Sequence, residues 1–173
     1  MKRFIAPTLL ALLIAGCGST PDGPEQAGAP VESRGGNVAT VTANGIDGRN
    51  LPAVLTDPKS ILSKRSIYFD YDKYEVKSEY KDLVTAHAKF LVDNRQFKML
   101  IQGNTDERGS REYNLALGQK RADAIKKMLT LLGAREEQVE SVSLGEEKPK
   151  NEGQNEAAWA ENRRGDMLYS GEF

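Results

Sequence analysis

Two ionisable side chains stand where a binding site could be assembled. Asp106 lies in the run Gly103-Asn104-Thr105-Asp106-Glu107-Arg108-Gly109, and Arg121 follows it by fifteen positions. Glycines bracket the run, as expected of a loop at the exit of a strand. Loops held by a rigid scaffold are where binding groups concentrate. The residues after the run have helical spacing, so Arg121 stands several turns into a helix and is not a helix neighbour of Asp106. The two converge only if the loop folds back over that helix. A carboxylate beside a guanidinium then suits a ligand that carries both an ammonium and a carboxylate. Asp106 would pair with the ammonium, and Arg121 would grip the carboxylate with two parallel hydrogen bonds. Spacing alone leaves a second outcome open, and a commoner one: an Asp capping its loop and an Arg on the surface.

Material for catalysis is scarce. The chain has one cysteine, Cys17, and one histidine, His87. A lone cysteine makes neither an internal disulfide nor a cysteine-built metal site. His87 falls on the apolar side of a helical pattern with no nucleophile or second base beside it. That predicts a buried, hydrogen-bonded histidine and not a proton shuttle. No cofactor is expected. The net charge of −1 becomes −3 once Lys2 and Arg3 are lost with the first sixteen residues, which gives no reason to expect nucleic acid as a partner.

Cys17 is informative by position. Lys2 and Arg3 form a positive start, Phe4 to Ile14 is apolar apart from Pro7 and Thr8, and the small residues Ala15 and Gly16 precede the cysteine. That pattern predicts a secretory signal peptide over residues 1–16. Ile14-Ala15-Gly16-Cys17 resembles a bacterial lipobox, with Ile14 where Leu is usual. The resemblance implies that Cys17 carries acyl chains and anchors the mature protein in lipid, since several chains hold stably where one does not. Gly18 and Ser19 follow the cysteine in place of an Asp that would favour the inner membrane, which implies the outer membrane. The sequence contains no apolar run of eighteen residues that could form an ordinary spanning helix.

Behind the cysteine, prolines 21, 24, 30, 52 and 58 and the pair Gly35-Gly36 accompany few large apolar residues. Residues 17–58 are therefore read as a lipidated N-terminus and flexible linker with a reach of roughly 35 Å. Val54, Leu55, Ile61 and Leu62 suggest a short helical lead-in. Residues 59–173 form the expected domain. Ser66 to Asp70 reads as a strand. A helix follows with Leu83, Val84, His87, Phe90 and Leu91 on one face. Lys98 to Gln102 is a second strand, ended by Gly103. A second helix carries Leu115, Gly118, Ala122, Ile125, Leu129 and Leu132, with Gly133 as its stop. Val139 to Leu144 is a third strand, residues 155–162 a short helix, and Asp166 to Tyr169 the last strand, with Gly165 weakening its start. The expected fold is an α/β (α+β) sandwich: a small mixed sheet with helices packed on one face, in the order βαβαβ(α)β.

Tyr68-Phe69-Asp70, Gly103 to Gly109, Arg111-Glu112-Tyr113-Asn114, Leu117 to Ala122 and Asn162-Arg163-Arg164 together resemble the peptidoglycan-associated branch of the OmpA-like family. The similarity runs in order from about Ile67 to Tyr169. It implies an OmpA-like domain that binds, without covalent bonds, the meso-diaminopimelate of peptidoglycan stem peptides. That residue has an amine and a carboxylate at its side-chain end. By position, the resemblance implies Asp106 and Arg121 as the central pair, Arg108 at the ligand's border, Leu117 in the pocket wall, and Tyr71 and Asp72 closing the other side. Asn104 stands where many relatives have His, and Gln154-Asn155-Glu156 where His-Asp-Glu is usual. The resemblance also implies TolB and the Tol–Pal system as partners, with a part in outer-membrane constriction at cell division.

Arg163 and Arg164 match the family's closing motif; scaffold salt bridges are favoured over a ligand or partner contact. Trp159 is read as core or edge packing. Three functional classes compete. The first, and the one favoured, is a binding protein with lipid at one end and cell wall at the other. The second is a cell-wall hydrolase. A glycosidase needs two carboxylates in distinct environments, an amidase needs zinc ligands, and acyl transfer needs an activated nucleophile. Asp106 and Glu107, adjacent on a loop, do not naturally face each other. The third is a signalling or adhesion lipoprotein without wall binding, which a peptidoglycan pulldown separates from the first.

Overall fold

A computed structural model describes residues 51–173. The expected signal peptide, Cys17 and most of the expected linker lie outside the described residues. Eight elements follow in order: α1 (Ala53–Thr56), β1 (Ser66–Tyr68), α2 (Lys81–Asp93), β2 (Met99–Asn104), α3 (Arg111–Leu131), β3 (Val139–Gly145), α4 (Glu156–Asn162) and β4 (Arg164–Tyr169). Short 3-10 turns lie at Ile61–Ser63, Ser78–Tyr80 and Glu136–Gln138. The sheet order is β1-β4-β2-β3. β4 is antiparallel to both neighbours and β2 is parallel to β3, so the sheet is mixed. Among the described residues no helix is long and apolar enough to cross a membrane.

Alternation along the strands builds the core. Ile67, Met99, Ile101, Met167 and Tyr169 are buried on one side of the sheet, while Leu100, Gln102, Asp166 and Leu168 on the other are half-buried. Leu83, Val84 and Leu91 of α2 and Ala122, Ile125 and Leu129 of α3 close over the buried side. Burying each such large aliphatic side chain contributes about 1.5–3 kcal/mol. Side-chain caps start α3 and α4. Ser110 accepts the Tyr113 N–H at 3.2 Å, and Asn155 accepts the Ala158 N–H at 3.0 Å. His87 is buried as expected, between the Tyr169 hydroxyl at 2.8 Å and the Lys64 carbonyl at 2.9 Å. A carbonyl only accepts, so Nε2 carries the proton and Nδ1 accepts from the tyrosine.

Several details depart from the sequence reading. β1 stops at Tyr68, since Asp70 already belongs to the turn that follows. β2 runs through Gly103 to Asn104, because Gly103 stays paired with Ser143 and Gly165; the loop is correspondingly shorter. The inward face of α3 is set by Asn114, Leu117, Gly118, Arg121, Ala122, Ile125 and Leu129, and Leu115 and Leu132 point outward. Two glycines cause this rotation: a Cβ on Gly103 would lie 1.8 Å from the Gly118 carbonyl oxygen, so strand and helix touch backbone to backbone there. β4 begins one residue before Gly165, which is paired with Ile67 and Gly103 inside it; a Cβ there would meet Ile125 Cδ1 at 2.4 Å. In the lead-in, Leu55 and Leu62 are buried while Val54 and Ile61 are exposed. Arg65 donates to the Leu55 carbonyl at 2.9 Å. The packed unit therefore begins before residue 59.

Candidate functional site

Three chain segments meet at one end of the sheet. The turn after β1 brings Tyr71 and Asp72, the loop after β2 brings Thr105, Asp106, Arg108 and Gly109, and the first turns of α3 bring Tyr113, Asn114, Leu117 and Arg121. Together they line a cavity of about 140 Å³. Tyr71, Asp72, Asp106, Arg108, Leu117 and Arg121, the six residues singled out from the sequence, are all in its wall. Asp72 holds a left-handed backbone (φ 54°), a conformation an Asp adopts more readily than most residues. Its carboxylate accepts the Tyr113 hydroxyl across the rim.

Arg121 sits at the base and is fully buried. Its Nε donates to the Lys73 carbonyl at 2.8 Å, Nη1 to Asn104 at 2.8 Å and Nη2 to Asp70 at 3.2 Å. The guanidinium thus ties the turn after β1 to the end of β2, and two of its five N–H groups are left over. Burial lowers its pKa to about 10, against the nearby negative charge of Asp106, which raises it. It is a cation at neutral pH. The sequence suggests an open fork at Arg121; a side chain with three of its donors committed to backbone carbonyls offers less.

Asp106 is also occupied. It accepts from the Arg108 backbone N–H at 3.1 Å, from Arg108 Nη2 at 2.7 Å and from Arg163 Nη1 at 3.3 Å. Burial pushes this carboxyl up, but the hydrogen bonds from Arg108 and Arg163 outweigh it and hold the pKa below its ordinary value. Asp106 is therefore a buried anion facing a mouth guarded by Arg108. Thr105 Oγ1 and Asn114 Oδ1, buried in the same wall, have no hydrogen-bond partner among the described residues.

Arg163 is a scaffold ion pair, as favoured from the sequence, and joins Asp106 to Glu156, the latter at 2.7 Å. Arg164 pairs with Asp166 at 2.8 Å, away from the cavity. Trp159, expected as core or edge packing, is half-buried and lies outside the buried core. It lies over the Arg108 guanidinium, 4.2 Å from its ring centroid, with Tyr71 at 4.3 Å on Arg108 as well. The sequence reading missed Thr105, Gly109, Tyr113 and Asn114 as cavity residues. Helical spacing could have found two of them, since Tyr113 and Asn114 fall three or four positions from Leu117. Nothing in local spacing could have found Trp159, which is distant in sequence from Arg108.

The OmpA family matches residues 68–163. The peptidoglycan-associated lipoprotein of Pasteurella multocida is 49% identical over 104 residues, covering 60% of this chain and 69% of that protein. That of Pseudomonas putida is 38% identical over 162 residues, covering 94% of this chain and 93% of the other. The crystal structure of the peptidoglycan-associated lipoprotein from Burkholderia pseudomallei superposes with a TM-score of 0.66 at 56% identity, covering 67% of this chain and 98% of that one.

Proposed function

Because the chain belongs to the OmpA family, among its peptidoglycan-associated lipoproteins, we propose that it is an outer-membrane lipoprotein whose periplasmic domain binds peptidoglycan without covalent chemistry and so ties the membrane to the wall. One observation carries the reading: residues from three separate segments bring a buried carboxylate and a buried guanidinium into the wall of one small cavity. The ligand that matches them is the distal end of meso-diaminopimelate. Its ammonium meets Asp106, and its carboxylate takes the remaining N–H groups of Arg121. Leu117 packs on the methylene stem between them, and Tyr71, Asp72 and Arg108 close the mouth. Acyl chains on Cys17 supply the membrane end, and residues up to about 50 span the distance. The same domain belongs to a Tol–Pal system, in which it exchanges peptidoglycan for TolB as the outer membrane constricts at division.

Calorimetry with a diaminopimelate muropeptide and its lysine counterpart tests the pocket. Asp106→Ala and Arg121→Ala should each cost roughly 2–4 kcal/mol of binding, the scale of breaking a desolvated charge pair. The lysine stem lacks only the distal carboxylate, so it should bind wild type far more weakly and the Arg121→Ala protein hardly less well than the diaminopimelate stem. Equal losses from the lysine swap in both proteins would remove Arg121 from the carboxylate.

A further inference from the structure

Arg108 is held by two aromatic rings and faces two carboxylates, Asp106 at 2.7 Å and Glu156 at 3.4 Å. Asp106 is buried, while Glu156 is largely open to solvent. Glu156 and Trp159 lie three apart on α4 and Arg163 caps its C-terminal end, so this short helix and its cap turn charged and aromatic side chains toward the mouth. The Trp159 ring is itself fixed, its Nε1 donating to Glu107 at 3.1 Å. Arg108 occupies the oxygen atoms of Asp106 that an incoming ammonium requires. Asp106 already takes two guanidiniums, Arg108 and Arg163, at one oxygen, so a third cation reaches it only as the less buried of the two, Arg108, gives way.

We propose that Trp159 is a positioning residue for ligand binding: with Tyr71 it forms an aromatic slot that keeps Arg108 at the mouth as its charge passes from Asp106 to Glu156 on arrival of the ligand ammonium. This rests on the assignment of an ammonium ligand to Asp106. The slot retains its attraction for the guanidinium in both positions, because the ring faces interact with a cation whichever carboxylate it favours. Glu156 receives the displaced charge, and Arg163, bound to both carboxylates, keeps the two acceptors at a fixed separation.

The test compares wild type, Trp159→Leu, Trp159→Tyr and Glu156→Gln against two probes: a tripeptide muropeptide with a free distal amine on diaminopimelate, and the same molecule with that amine acetylated. For the free amine, Trp159→Leu and Glu156→Gln should weaken binding roughly three- to tenfold, the range a partly exposed cation–π contact supplies. Trp159→Tyr should restore most of the loss. With the acetylated probe, which no longer displaces Arg108, Trp159→Leu should bind as wild type does. Trp159 is the only tryptophan in the chain, so its emission should also change when the free-amine probe saturates wild type. Thermal melts establish that each variant is folded, and Trp159→Tyr carries the comparison if the leucine variant is not. Unweakened binding by both Trp159→Leu and Glu156→Gln, or equal losses for the two probes, would overturn the assignment of Trp159 while leaving the proposed function intact. Failure of wild type to bind either probe would overturn the proposed function and this role with it.

Discussion

Single side chains in this domain do their work through commitments already made inside the protein. Arg121 is the clearest case. A guanidinium that donates to Lys73, Asn104 and Asp70 backbone oxygens is part of the scaffold before any ligand arrives. Arg121→Lys should therefore lose both functions together, since an ammonium cannot reproduce the planar set of donors. Each carbonyl left without a donor costs about 1–3 kcal/mol. Denaturant titration should show a clear loss of stability, and calorimetry a loss of muropeptide affinity. His87 makes a separate prediction. Burial depresses its pKa from 6.5 to about 4, the Lys64 carbonyl opposing and Arg65 adding to the effect. The folded state then holds His87 neutral while the unfolded chain protonates it. The contribution to stability is fully present above pH 6.5 and is lost as pH falls from 6.5 through 4, on the order of 3 kcal/mol in all. His87→Gln, which keeps a donor and an acceptor but does not titrate, should show a flatter dependence of unfolding free energy on pH in that window. Parallel curves for the two proteins would remove His87 as the cause.

The meeting of β2 with α3 matters most among the elements, because Asp106 follows one and Arg121 rides on the other. Gly103 and Gly118 let the two backbones touch. Gly103→Ala would force a methyl group into a carbonyl oxygen, and a backbone cannot step aside as a flexible side chain can. A cost at or above the roughly 1–3 kcal/mol usual for overpacking is expected, read as a fall in denaturation midpoint. Muropeptide affinity should fall too, because separating strand from helix separates Asp106 from Arg121. The lead-in at α1 predicts a second effect. Leu55 is buried in the core, so Leu55→Ala should cost roughly 2–5 kcal/mol. A domain beginning at residue 59 would show no change.

On the scale of the whole molecule, function needs two ends. Cys17→Ala should leave the folded domain able to bind muropeptide yet release the protein from membranes, because the sequence has no apolar run of eighteen residues and the acyl chains are the proposed anchor. Flotation of membranes after peptidoglycan digestion measures this. Mutant protein that still floats with the outer membrane would show a different anchor.

Local patterns determined a good part of this. The strand and helix order and the inward set of α2 were legible because they depend on residues a few positions apart, where side-chain period and turn chemistry act directly. The run from Gly103 to Gly109 and the resemblance it carries led to six residues that the fold places around one cavity. Tertiary structure decided the rest. The rotation of α3 that turns Leu115 outward follows from a glycine contact between distant segments. The start of the packed unit follows from Leu55 finding a hydrophobic core contributed from elsewhere. That Arg121 is a backbone clasp, and that Trp159 and Arg163 reach back to Arg108 and Asp106, follow from buried charges needing partners wherever the chain can supply them. Such pairings are set by proximity in space across some fifty residues of chain, and no local period in the sequence encodes them.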